Sequence, residues 1–157
     1  DIDQPLAGLA GLHKQRLPSD HYVFAYGAGL KEPPRTLQAY LEQPQILVSS
    51  RRDGLSPVDL HLGLKSLRRN IAVNTQSTLA AKLIADRQPF GVSLPSRVAA
   101  VLGMHQVPLP LEEPVELKMA LYIESRYRFE RSREEAMHCL LRVLSEPCAL
   151  ESIARRA

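Results

Sequence analysis

Residues 71–94 read IAVNTQSTLAAKLIADRQPFGVSL. The apolar run Ile71–Thr75 has the length and β-branched content of a strand. Ser77 then stands where a helix cap is needed, Leu79, Ala80, Leu83 and Ile84 repeat at helical spacing, and Asp86-Arg87-Gln88 ends the helix in polar residues. Phe90–Leu94 is a second strand. Strand, capped helix, strand over some two dozen residues is the unit from which parallel sheets are built.

The same unit recurs on both sides. Upstream, Thr36 caps a short helix carrying Leu37, Tyr40 and Leu41, Pro44 stops it, and Gln45–Ser49 is a strand. Ser56-Pro57-Val58-Asp59 starts the next helix with a capping hydroxyl, a proline at the first helical position and an acid near the positive helix end, running to about Leu64. His21–Ala28 alternates as a strand and ends in Gly27-Ala-Gly29. Downstream, Pro95-Ser96 leads into a helix over 97–102, and Gly103 is placed to take a left-handed cap. Two prolines bar residues 107–111 from being a central strand, so 108–114 reads as a crossover, while Val115–Ile123 reads as one strand. A capping box at Ser132 and Glu135 opens a last helix with Ala136, Cys139, Leu140, Val143 and Leu144 on its inner face. The expectation is an α/β fold with a mixed, mostly parallel sheet and helices on both faces.

Composition narrows the function. With 45% hydrophobic and 24% charged residues in 157, the chain can bury a core and is neither disordered nor low in complexity. No apolar stretch approaches the length of a spanning helix, so a soluble, cytoplasmic chain without membrane contact is expected. The charge of +3 comes from scattered pairs such as Arg51-Arg52 and Arg68-Arg69, and without Trp there is little to stack on bases, so direct DNA binding is not expected of this chain. Five His and two Cys show no metal-ligand spacing, and no metal or cofactor is expected. Cys139 and Cys148 read as reduced, packed thiols. Glu112-Glu113 point to opposite sides of an extended segment, and Gly27-Ala-Gly29 lacks the third glycine of a dinucleotide loop, so no catalytic residues are expected.

What remains is a binding site. Open α/β sheets hold ligands beyond the carboxyl ends of their strands, next to helix N-termini. Three places qualify by that rule: Ser49-Ser50-Arg51, Asn74-Thr75-Gln76-Ser77, and Phe90-Gly91-Val92-Ser93.

The ordered set Ile46-Leu-Val-Ser-Ser50, Gly54, Val58-Asp59 with Leu60–Leu64, Leu67-Arg68-Arg69-Asn-Ile-Ala-Val73, and Phe90-Gly-Val-Ser-Leu-Pro95 with Arg97-Val98-Ala99 resembles the effector-binding domain of LysR-type transcriptional regulators. The spacing is most similar to the branch of nodulation and aromatic-catabolism regulators. The resemblance implies a periplasmic-binding-protein-like, two-lobed fold with its first lobe incomplete. Residues 1–29 would end that lobe and cross over, 30–107 would form the second lobe, 108–114 would cross back, and 115–157 would return to the first. It further implies a small organic effector, of the aromatic or carboxylate class, in the inter-lobe cleft, a homodimer or tetramer, and DNA contact only through an N-terminal head outside this chain. On that mapping Ser50 ends the first strand of the second lobe, Asn74, Gln76 and Ser77 form the cleft-facing loop, and Phe90 and Gly91 form a glycine turn lining the ligand. The alternative is an extracytoplasmic solute-binding protein with the same architecture, followed by a small α/β enzyme or a pure dimerisation module.

Overall fold

The structure is a computed structural model that describes residues 12–49 and 55–124, with Glu135, His138 and Cys139. In chain order the elements are β1 (Leu12–Arg16), β2 (Asp20–Tyr26), α1 (Leu37–Glu42), β3 (Gln45–Val48), α2 (Pro57–Leu64), β4 (Ile71–Thr75), α3 (Thr78–Ala85), β5 (Gly91–Pro95), α4 (Ser96–Val101), β6 (His105–Pro108), β7 (Glu116–Leu117) and β8 (Ala120–Glu124). The chain divides into two compact units, Asp1–Asp20 with Leu117–Ala157, and His21–Glu116. Among the described residues no helix is long and apolar enough to cross a membrane.

The first unit contains an antiparallel pair, β1 with β8, in register from Leu12 opposite Glu124 to Arg16 opposite Ala120. The second unit is built on a mixed sheet of order β4-β3-β5-β2-β6, with β7 pairing β2. β3 runs parallel to β4 and β5, whereas β2 runs antiparallel to β5 and β6. Alternation along β2 divides the core into two layers. Val23 and Ala25 face a cluster with Ile46, Ala81, Ala85, Val92, Leu94 and Ala99, beneath α3 and α4. Phe24 faces the other way, onto Tyr40, Val58 and Leu62 of α1 and α2. Period-two side-chain direction thus produces a sheet sandwiched between helices.

The caps read from sequence are present. Thr36, Ser56 and Ser77 accept from Ala39, Asp59 and Ala80 backbone N–H groups, and Ser56 with Asp59 forms a reciprocal capping box. Gly103 has φ +63°. It ends α4 in a Schellman turn, in which Met104 N–H donates to the Ala99 carbonyl at 3.0 Å and Gly103 N–H to Ala100 at 2.9 Å. The two prolines do exclude residues 107–111 from the sheet centre, since β6 is an edge strand.

Two expectations change, and one strand is new. The apolar run 115–123 is not one strand: it breaks at Lys118-Met119 because its two halves pair with different partners, β7 with β2 and β8 with β1. β1 has the polar sequence LHKQR and gives no strand signal of its own; its partner β8 supplies the pairing. Cys139 is exposed rather than packed, and it shares a helix face with Glu135, four residues earlier and also exposed. Otherwise the helix expected over 132–144 lies outside the described residues, as do Ser50 and Gly54.

α2 ends in a second Schellman turn, but here the left-handed position is Ser66, φ 57°. Leu67 N–H reaches the Leu62 carbonyl at 2.9 Å and Ser66 N–H reaches Gly63 at 3.0 Å. A left-handed non-glycine residue is strained by about 1–2 kcal/mol. Ser66→Gly is therefore expected to raise unfolding stability by up to about 1 kcal/mol, after allowing for the freer unfolded chain. Chemical denaturation checks this, and a loss of stability would contradict the assigned turn.

Candidate functional site

The carboxyl ends of the parallel strands β4 and β3 come together at one end of the second unit. Ser49, half-buried just past β3, donates its N–H to the Thr75 carbonyl at 3.0 Å, tying the two strand ends. Asn74 lies opposite Leu47 in the ladder and is exposed. Gln76 is exposed in the turn, and Ser77 caps α3, its N–H donating to Thr75 Oγ1 at 3.2 Å. Ser49, Asn74, Gln76 and Ser77 thus all lie at this end of the sheet, a polar rim of hydroxyls and amides at the strand ends and the start of α3.

Phe90 and Gly91 are not in that rim. β5 is parallel to β3 with Gly91 opposite Gln45, so this pair sits at the amino end of the strands, and Gly91 N–H donates to the Pro44 carbonyl at 3.2 Å. A Cβ at Gly91 would lie 1.9 Å from Phe24 Cζ, so the glycine is required by an aromatic ring of the protein's own core. Phe90 packs at the edge of the α3/α4 core layer. The carboxyl end of β5 is instead Pro95-Ser96-Arg97, which is not among the three ligand places read from the sequence. Strand polarity is the signal that finds it, because ligand sites follow carboxyl ends and Phe90-Gly91 opens the strand.

A second polar constellation lies under the sheet on the α1/α2 side, centred on Arg69. Its guanidinium is buried and all five donors are engaged. Nε reaches Asp59 Oδ1 at 2.6 Å and one terminal nitrogen reaches Asp59 Oδ2 at 2.9 Å and Ser56 Oγ at 3.1 Å. The other terminal nitrogen reaches Gln45 Oε1 and Ser93 Oγ, both at 3.1 Å. Tyr40 Oη and Ser93 Oγ share a hydrogen bond of 2.9 Å, and Gln45 Nε2 donates to the Tyr40 carbonyl at 2.7 Å.

Burial alone would raise the Asp59 carboxyl, but the hydrogen bonds and charge of Arg69, with the Ser56 hydroxyl and N–H, outweigh it and hold Asp59 below the ordinary carboxylate range. Arg69 is likewise disfavoured by burial and raised by Asp59, while burial pushes the Tyr40 phenol up. The cluster is saturated and holds no free base or nucleophile. Among the described residues no group of three or more His, Cys, Asp or Glu could hold a metal. The rim presents hydroxyl and amide groups that can both donate and accept hydrogen bonds.

No protein-family model matches the chain, and no curated protein matches it in sequence. Solved structures do. A probable transcriptional regulator from Pseudomonas aeruginosa is similar at TM-score 0.70 and 23% identity, over 90% of this chain and 46% of its own. The regulatory domain of MexT, a transcriptional activator in Pseudomonas aeruginosa, is similar at TM-score 0.71 and 14% identity, over 89% of this chain and 68% of its own. The effector binding domain of QuiR, solved in complex with shikimate, is similar at TM-score 0.63 and 14% identity, over 90% of this chain and 69% of its own. Others are described as LysR family regulators or their domains. The chain spans about half the length of the first of these proteins and about two-thirds of the other two. At such identities the likeness establishes the fold: the α/β, periplasmic-binding-protein-like fold of LysR regulatory domains.

The Arg69 cluster makes two measurable demands. Arg69→Ala leaves Asp59 and three polar partners without their donor, and is expected to lower stability by about 3–5 kcal/mol. Because Asp59 titrates lower when folded than when unfolded (about 3.9), its contribution is complete above the unfolded value and disappears as pH falls through the folded one. The stability difference between the wild type and Asp59→Asn should shrink as pH falls below about 4. A difference that stays constant from neutral to acid would show that the carboxylate charge is not what stabilises the cluster.

Proposed function

We propose that the chain is the ligand-sensing regulatory domain of a LysR-type transcriptional regulator, binding a small organic effector against the rim formed by Ser49, Asn74, Gln76 and Ser77. The observation that carries this reading is the fold it shares with transcriptional regulators' domains, one of them an effector binding domain holding shikimate. The rim adds chemistry of the right kind. Shikimate is a ring of hydroxyls with one carboxylate, and the rim offers hydroxyl and amide groups beside a helix N-terminus that favours negative charge. A compact carboxylate or aromatic acid, the effector class suggested by the resemblance to aromatic-catabolism regulators, meets both features.

In this reading residues 30–107 are the second lobe, 21–29 and 108–114 the crossovers, and 115–157 the return to the first lobe. The protein works in the cytoplasm as a homodimer or tetramer, and touches DNA through a head outside these 157 residues. It senses rather than transports or catalyses. The structural likenesses are to regulators, which favours the sensor over a solute-binding protein.

The test is affinity for a panel of small cyclic carboxylates including shikimate, measured by thermal shift and confirmed by calorimetry. One or more should bind, and Ser77→Ala and Asn74→Ala should each weaken that binding by about 1–2 kcal/mol, the size of a single hydrogen bond, with the fold intact. Equal affinity in both variants would remove the effector from this rim.

A further inference from the structure

A groove of about 760 Å³ runs along the outer edge of the second unit, between α2 and the edge strand β4. Its lining shares no residue with the rim described above, although Leu47 at its inner end lies opposite Asn74 in the ladder. Its walls are aliphatic and unusually bare: Leu64 is 88% exposed, Leu60 50%, Leu55 40% and Ile71 36%. A cluster of that kind on a single-chain surface marks a binding surface more often than chance exposure. The volume lies in the range of pockets that enclose one small molecule, roughly 300–1,000 Å³.

The charges in the groove select the ligand. Asp59 and Arg69, at its floor, neutralise each other through contacts of 2.6 and 2.9 Å. Lys65 beside it is held by Glu112 at 2.9 Å. Arg68 also lines the groove, is exposed, and makes no hydrogen bond or ion pair among the described residues. Among the described residues the lining therefore carries one uncompensated positive charge, at an otherwise aliphatic surface. A monoanion with an aliphatic body answers both features.

We propose that this groove is a second ligand site, separate from the rim, which takes an amphipathic monoanion: an alkyl body along Leu60, Leu64 and Ile71, and a carboxylate head on Arg68. Gly63 provides a clean way to close it. The residue lines the groove within α2, and a Cβ there meets nothing within 4 Å. Replacing a helical glycine also favours the helix, so a bulky side chain at 63 fills the groove without disturbing the fold.

The experiment titrates the whole 157-residue chain with decanoate, and with decanol as the uncharged control, using amide chemical shifts and calorimetry. Saturable binding of decanoate is expected. Gly63→Phe should weaken it by about tenfold or more, and Arg68→Gln by severalfold, to the level of decanol on the wild type. Ser77→Ala should leave it unchanged, which keeps this site distinguishable from the rim. Absence of saturation, or binding indifferent to Gly63→Phe, would overturn the proposal. So would a wild-type dimer in sedimentation that Gly63→Phe dissociates, since the groove would then belong to a second copy.

Discussion

The buried guanidinium of Arg69 is the constraint on which the second unit depends. Its five donors reach Asp59 and Ser56 on the α2 side, Gln45 on β3 and Ser93 on β5, and Ser93 carries the network on to Tyr40 of α1. Each partner is in place only in one register. Sliding β3 or β5 by one residue would turn Ile46 or Val92 toward the guanidinium and send Gln45 or Ser93 into the apolar α3/α4 layer. Buried ion pairs seldom add much net stability over a well-packed apolar alternative, but losing one partner is severe. The network therefore fixes which arrangement is adopted more than how stable it is, and α2 inherits its start from the same atoms, because Ser56 and Asp59 also form its capping box.

This arrangement carries over to the polar rim. With β3 and β4 in parallel register, Val48 lies opposite Thr75, and the strands end together. Ser49 and Ser77 both bond to Thr75, so the start of α3 is held at the level of the strand ends. The far end of the sheet is closed by packing instead. Gly91 admits Phe24, and Gly27 and Gly29 lie against the last turn of α3, with Gly29 N–H on the Ala85 carbonyl at 3.1 Å.

Much of this is legible in the sequence because it is local. Capping hydroxyls, the proline at the first position of α2, the glycine after α4 and the apolar runs of β3, β4 and β5 each declare themselves within a few residues. The failures are non-local. β1 exists because β8 pairs with it, and the break at Lys118-Met119 reflects two different partners. Phe90-Gly91 reads as a ligand turn because glycine signals close approach without saying what approaches. The Arg69 cluster leaves a fainter trace: Gln45 and Ser93 are polar residues inside apolar strand runs, and buried polar groups require partners. That oddity is the one clue within the sequence that ties the Val58-Asp59 and Arg68-Arg69 motifs to the same buried site.

Where an effector lands is the most direct test of the sensor reading. Backbone amide shifts should be followed as a small cyclic carboxylate that binds, shikimate first, is titrated into the chain. The predicted result is perturbation concentrated at Ser49, Asn74–Thr78 and the Ser96-Arg97 end of β5, with Phe90 and Gly91 unmoved. Perturbation centred on Phe90-Gly91, or no saturable perturbation by any member of the panel, would contradict it.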